Sequence, residues 1–201
     1  MTGIILIIIG YLLGSLSSAI IVCRLMKLPD PRQEGSGNPG TMNVLRIAGL
    51  NPAIFTLLGD VLKGLIAVLL ARAFGVHGFM LSLVALAAFI GHIFPVFFKF
   101  EGGKGVATAI GAILGLSLWA GLITIVAWIV VLAIFRYASL ASLVALVVAP
   151  ICALFAHAGF FIPLVIMLLI VVWRHWGNIQ RLMDGTEDKV DFNKLKGSKT
   201  S

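Results

Sequence analysis

Charge is what this sequence has least of. Asp, Glu, Lys and Arg make up 11% of its 201 residues, against the ~25% of an ordinary soluble domain, and that deficit argues against a water-soluble fold. Period-two alternation of apolar and polar residues is also missing, which argues against a transmembrane β-barrel built from ~10-residue alternating strands. Residues 1–26 lack a positively charged start and a small-x-small cleavage site, so they read as a first membrane span and not as a cleaved signal. The two cysteines, Cys23 and Cys152, both lie in apolar stretches and read as small buried hydrophobes; they give no disulfide framework or metal site. Basic and aromatic residues do not interleave, so the net charge of +7 carries no implication of nucleic acid. Four of the fifteen Lys and Arg residues sit in the tail from Lys189 onward.

What remains is apolar. Hydrophobic residues make up 60% of the chain and the mean hydropathy is +1.11. Apolar runs cover about 3–24, 52–74, 79–98, 105–135, 138–157 and 160–180, most of them near the ~20 residues that a helical span needs. The 105–135 run has 31 residues, long for one span and short for two. Charge decides between these. As one helix it would place Arg136, Arg174, Arg181 and the basic tail outside; as a tight hairpin turning within 116–121 it leaves Arg72 as the basic residue outside. The positive-inside rule favours the hairpin. The expected fold is an all-α polytopic membrane protein with seven transmembrane helices, the N-terminus out and the C-terminus in.

That topology gathers the polar clusters 34–46, 99–104, 136–142 and 174–181 on one side of the membrane. In EGSGNPGTMN, 34–43, the glycines match G-x-G-x-x-G, but neither a strand nor a βαβ unit surrounds them, and Asp60, about where the Rossmann acid falls, lies inside an apolar run. The segment still suits an anion: clustered glycines can aim several backbone N–H groups at one point, and Ser36, Asn38, Thr41 and Asn43 add side-chain donors. The plain alternative is a flexible connection. In FEGGKGVAT, 100–108, Lys104 follows two glycines and opens an apolar helix, where the helix dipole already attracts anions; the alternative is a snorkelling lysine. WRHWGNIQRL, 173–182, puts Arg174, His175, Asn178 and Arg181 at helical spacing between interfacial tryptophans. Asp60 and Lys63 share a helical face within a span and read either as a structural ion pair or, with His92, as the polar floor of a pocket. His77 and His157 fall on the opposite side.

Two absences narrow the chemistry. No Asp stands five residues after His92, His157 or His175, so the His-x4-Asp dyad of membrane thioester acyltransferases is missing. No paired carboxylates suited to a divalent cation appear on the inner side, which disfavours metal-dependent alcohol phosphotransferases.

GSGNPGTMN, GHIFPVFFKFEGGKGVAT and WRHWGNIQRL, in this order and spacing from Gly14 to about Asp184, together resemble the bacterial acyl-phosphate:glycerol-3-phosphate acyltransferases, the PlsY family. The resemblance implies seven spans with cytoplasmic site loops, and transfer of an acyl chain from acyl phosphate to the sn-1 hydroxyl of glycerol 3-phosphate, giving lysophosphatidic acid. It implies that Ser36, Gly37, Asn38, Gly40, Thr41, Met42 and Asn43 cradle the donor's phosphate, and that Gly103 also binds substrate. Arg46, Lys104, Ser142, His175 and Asn178 then contact glycerol 3-phosphate, with Ser139 an alternative to Ser142. Met42 departs from the small residue expected there, which leaves a backbone donor intact. The proton has two candidate acceptors, His175 and the donor's own phosphate, and the phosphate is favoured because no carboxylate is spaced to orient the histidine. The expectation is a membrane-embedded acyltransferase domain over 1–184 and a polar cytoplasmic tail over 185–201, in the bacterial inner membrane. The expected partners are the two substrates and the lipid bilayer, without cofactor, metal or nucleic acid, and the active unit is a monomer. The rival functions are a small phosphate or anion transporter and a non-catalytic scaffold subunit.

Overall fold

The computed structural model describes residues 1–191. Among the described residues there is no strand. Ten α-helices follow one another: α1 (Thr2–Gly14), α2 (Ser18–Leu25), α3 (Thr41–Ala48), α4 (Leu50–Ala73), α5 (Gly78–Ile93), α6 (Val106–Leu116), α7 (Leu118–Phe135), α8 (Ala138–Ala156), α9 (Phe161–Arg174) and α10 (Trp176–Met183). Short 3-10 turns occur at Val96–Phe98 and Ala158–Phe160. Four helices are long and apolar enough to cross a membrane, six if each bent pair counts as one span. The shorter α6 has 11 residues, about 16 Å at 1.5 Å per residue, roughly half of a ~30 Å hydrocarbon core.

The run 105–135 divides at Ser117, within the stretch expected to turn. Ser117 is extended and its hydroxyl accepts the Ala120 N–H at 3.4 Å, starting α7. The new helix folds back on the old one, because a Cβ on Gly121 would fall on Leu114. Two runs read as continuous spans prove to be bent. The first breaks between α1 and α2 by 43°, where Ser15 turns its hydroxyl to the Tyr11 carbonyl at 2.8 Å. The last breaks by 61° at His175, whose ring nitrogen Nδ1 lies 2.9 Å from the Val171 carbonyl. Both breaks free backbone groups that a straight helix would satisfy, and both lie beside polar partners that take them up.

Between helices in lipid there is little hydrophobic drive, so close packing of small residues supplies the association. Gly10 and Gly14 of α1 meet Val84 and Ala88 of α5 in the same order along both chains, so these helices run parallel. Gly64 of α4 lies on the Thr108 carbonyl and Gly111 of α6 on that of Val61. Phe89, Ile113, Leu146 and Met167 fill the shared core. Ahead of α6, Lys99 to Glu101 are exposed and Gly102 and Gly103 are buried, with Gly103 against His92, while Thr108 of α6 packs against Gly64 of α4.

Candidate active site

The loop that enters α6 is shaped by its backbone. Lys99 and Phe100 both adopt left-handed conformations, φ 56° and 61°, unusual for residues with a Cβ, and they turn the chain back toward the core. Gly102 and Gly103 are buried there. A Cβ on Gly102 would land on the His92 carbonyl oxygen and one on Gly103 on the His92 ring, so only glycine fits. The Gly103 N–H donates to the His92 carbonyl at 3.2 Å. From the other side Arg174 donates to the carbonyls of Gly102 at 2.9 Å and Gly103 at 3.2 Å. Lys104 is thereby presented between α9 and α10, and its ammonium donates to the Asn178 side-chain oxygen.

From Asn178 a polar chain continues. Its amide nitrogen donates to Glu187 Oε1 at 2.7 Å, the same oxygen that accepts from Ser139 Oγ at 2.7 Å, while Arg181 Nε donates to Glu187 Oε2 at 2.8 Å. These hydrogen bonds hold the Glu187 carboxyl below the usual carboxylate range even though burial raises it. Arg46, on α3, pairs with Asp188 at 3.1 Å, and Arg136 donates to the Val190 carbonyl. Residues 187–190 thus lie as a strap across the polar end of the bundle. Burial, with the nearby cations Arg181, Arg174 and Arg46, pushes the Lys104 ammonium down to about 8, and Glu187 opposes that shift. His175 is 3% exposed. With Nδ1–H given to the Val171 carbonyl, its Nε2 is left as an acceptor.

The 34–43 segment closes the opposite wall. A cleft of about 400 Å³ opens between Gly37 and Pro39 on one side and Phe100 to Gly102 on the other, with Arg32 and Arg174 at its edges. Arg32 is held by Asp30 at 2.7 Å and by Glu101 at 2.8 Å, tying the two loops together. Gly35 and Gly37 are left-handed, φ 61° and 70°, and Ser36 and Gly37 are exposed. Gly40 caps α3; its carbonyl takes the N–H groups of Asn43 and Val44 at 3.1 Å. The N–H groups of Thr41 and Met42 are first-turn donors without an intrahelical acceptor, and Thr41 Oγ1 is buried without a hydrogen-bond partner among the described residues. An anion placed there meets two N–H groups, a hydroxyl and the helix dipole.

The residues singled out from the sequence do not all point into this space. Asn43 is 1% exposed and fully engaged within its own loop. It donates to the carbonyls of Pro31 at 2.8 Å and Glu34 at 3.0 Å and accepts the Ser36 N–H at 2.8 Å. Ser142 donates to the Ala138 carbonyl at 2.7 Å and accepts from Trp128 at 3.1 Å, on the α7 side of α8. Ser139, one turn earlier, is the hydroxyl that joins Asn178 and Glu187. Asp60, Lys63 and His92 cluster behind Gly103. Sequence reasoning missed Glu187 and Arg32. Glu187 falls just past the end assigned to the domain, and an acid following the cationic run 174–181 was the available signal. His157 caps a 3-10 turn by accepting the Gly159 N–H at 3.1 Å.

A helical bundle with a cleft at its polar loops, edged by Arg32 and Arg174, defines an integral membrane protein with cationic side chains gathered against its core. The glycerol-3-phosphate acyltransferase family model matches residues 4–185, and the chain belongs to that family. It is 56% identical over 191 residues to the glycerol-3-phosphate acyltransferase of Coxiella burnetii (strain Dugway 5J108-111), covering 94% of this chain and 99% of that one. It is 50% identical over 193 residues to the one from Thioalkalivibrio sulfidiphilus, covering 95% of each. Among solved structures it resembles PlsY (YgiH), an integral membrane glycerol 3-phosphate acyltransferase, in its glycerol 3-phosphate form, with a TM-score of 0.91 at 33% identity, covering 98% of this chain and 100% of that one. The lysophosphatidic acid form matches with a TM-score of 0.88, also at 33% identity, covering 98% of this chain and 99% of that one.

Proposed function

We propose that the protein transfers an acyl chain from acyl phosphate to the sn-1 hydroxyl of glycerol 3-phosphate, releasing lysophosphatidic acid and inorganic phosphate. The observation that carries this reading is the hydrogen bond of Lys104 to Asn178 beside Arg174, which holds the Gly102 and Gly103 carbonyls, with Pro39, just ahead of α3, against Gly103, in a chain of this family. Two phosphates must be held side by side against their repulsion, and clustered cations with fixed N–H groups do that.

The N–H groups of Thr41 and Met42, with Thr41 Oγ1, hold the phosphate of the acyl donor, and Ser36 to Gly40 close over it. Asn43 holds that loop in shape. Lys104, Asn178, Arg46 and the His175 Nε2 edge receive glycerol 3-phosphate, and Ser139 in place of Ser142 supplies the hydroxyl on that side. The glycerol oxygen attacks the acyl carbon, the new C–O ester bond forms, and the C–O bond to phosphate breaks. The hydroxyl proton leaves with the phosphate. The Nδ1–H of His175 is oriented by a carbonyl and not by a carboxylate, which supports the phosphate as acceptor. Acyl phosphate is an activated mixed anhydride, so positioning supplies most of what is needed.

The orientation follows from charge: the N-terminus lies outside, the C-terminus inside, and the site faces the cytoplasm of the bacterial inner membrane. Seven crossings result when α6 is counted as a short crossing of its own and each bent pair as one. The parallel runs of α1 with α5 support this alternation. The catalytic domain extends to the strap at 187–190 and does not stop at 184; the remainder of the tail lies outside the described residues. Purified protein incubated with acyl phosphate and labelled glycerol 3-phosphate is expected to yield labelled lysophosphatidic acid. Unreacted label accumulating inside sealed liposomes, with no new ester, would instead establish an anion transporter.

A further inference from the structure

Three ionisable side chains lie buried on the far side of Gly103 and have no part in the chemistry above. Asp60 is 1% exposed, Lys63 6% and His92 6%. Burying such groups at the level of a membrane is costly unless they pair with one another, and these three lie in contact. The Lys63 ammonium lies 2.9 Å from Asp60 Oδ1, 2.9 Å from His92 Nδ1 and 2.8 Å from the Leu16 carbonyl. Leu16 belongs to the break between α1 and α2, so its carbonyl is available where an unbroken helix would have used it. The ammonium donates to the Leu16 carbonyl and to His92 Nδ1, while Asp60 Oδ1 pairs with it by charge, 3.5 Å from His92 Nδ1 and without a hydrogen bond among the described residues. On that assignment His92 Nδ1 carries no proton, and the ring's proton sits on Nε2. Nε2 is the atom against Gly103, where a Cβ would land on it. The His92 carbonyl in turn accepts the Gly103 N–H. The ring of His92 is therefore fixed on one edge by Lys63 and presents its other edge to the residue just before Lys104.

We infer that Asp60, Lys63 and His92 form a positioning triad that holds the Gly102–Lys104 backbone from behind, setting the height of the Lys104 ammonium in the cleft, and do not themselves bind substrate. Arg174 holds the same two peptide groups from the front. The chain of support runs from Leu16 through Lys63 and His92 to Gly103 and Lys104. It explains why three polar groups are buried in spans beside the two glycines that precede Lys104. The inference rests on Lys104 contacting a substrate phosphate.

Two near-isosteric variants separate positioning from mere stability. His92→Asn keeps a polar atom near Nδ1, facing Lys63, and loses the edge that faces Gly103. His92→Gln reaches the Nε2 position. If the Gly103 edge matters, H92Q keeps kcat/KM within about threefold of wild type and H92N loses tenfold or more, while kcat/KM is affected more than kcat. The second readout is the alkaline limb of kcat/KM, set by Lys104 among Glu187, Arg181, Arg174, Arg46 and His175. A loosened loop lets water reach the ammonium, so in H92N this limb moves to higher pH, while in H92Q it stays. Thermal stability is measured alongside on detergent-purified protein. Equal kcat/KM in both variants with an unmoved limb, or losses that track melting temperature alone, overturn the positioning role. Lys104→Met is run in parallel: if it keeps full activity, the assignment of Lys104 to substrate fails, and if it collapses while H92N behaves as wild type, the triad alone fails.

Discussion

The ammonium of Lys104 and the side-chain oxygen of Asn178, 74 residues apart in sequence, are joined by a hydrogen bond, and the amide nitrogen of Asn178 is committed to Glu187 at 2.7 Å. The asparagine is thereby oriented with its acceptor toward the lysine and its donor toward the carboxylate. A substrate phosphate reaching Lys104 displaces an oxygen, not a donor, so the ammonium exchanges a neutral partner for an anion. That exchange favours binding, because an amide dipole is replaced by a full opposite charge.

Replacing Lys104 by Met keeps most of the apolar stem and removes the charge. A hydrogen bond to a charged group is worth ~1.5–3 kcal/mol, so kcat/KM is expected to fall by roughly one to two decades. Steady-state kinetics on purified protein check this; unchanged kinetics return Lys104 to a snorkelling role.

The pH dependence follows from the same group. The Lys104 ammonium is lowered to about 8 by burial and neighbouring cations, so it is charged below that pH and neutral above it. Activity that needs the charge is present below pH 8 and lost as pH rises through it. A bound phosphate favours the ammonium and moves its titration upward. Because kcat/KM reports the free enzyme and kcat the complex, the alkaline limb is expected at lower pH in kcat/KM than in kcat. Coincident limbs, or none below pH 10, contradict the assignment.

Two serines one turn apart on α8 have opposite fates. Ser139 donates to Glu187, which holds Asn178, whereas Ser142 bonds the Ala138 carbonyl and Trp128. Ser139→Ala is expected to lower kcat/KM by about fivefold, for a lost hydrogen bond of ~1 kcal/mol. Ser142→Ala is expected to stay within about twofold. The reverse order would place Ser142 at the substrate.

Much of this was legible because lipid constrains composition so tightly. The helical class follows from run length, and the gathering of 34–46, 99–104 and 174–181 at one end follows from where charges flank the runs. The turn at Ser117 is foreshadowed by positive charge at Arg136, with Gly115 and Gly121 on either side of it. The bends at 15–17 and at His175 were not legible. They depend on side chains bonding back to carbonyls within an otherwise apolar run, and such bonds leave no trace in hydropathy. The direction in which Asn43 and Ser142 point was equally hidden: Asn43 has the right residue type for an anion donor, but its bonds are taken by Pro31, Glu34 and Ser36. Glu187 is hidden because it lies past the last apolar run and past the expected domain end at 184, in a polar tail with no motif of its own.

The α3 N-terminus and the 36–43 loop are the proposed seat of the donor's phosphate. Two N–H groups and a buried hydroxyl suit a small tetrahedral anion next to the reacting carbonyl, as in acyl phosphate. The phosphates of acyl-CoA lie far from its acyl carbon, and no His-x4-Asp dyad is present for thioester chemistry. The most direct measurement compares acyl phosphate and acyl-CoA as donors to glycerol 3-phosphate with the same purified protein in the same detergent. Lysophosphatidic acid is expected from acyl phosphate and essentially none from acyl-CoA, with inorganic phosphate inhibiting the first reaction; comparable turnover with acyl-CoA would contradict the assignment of that loop.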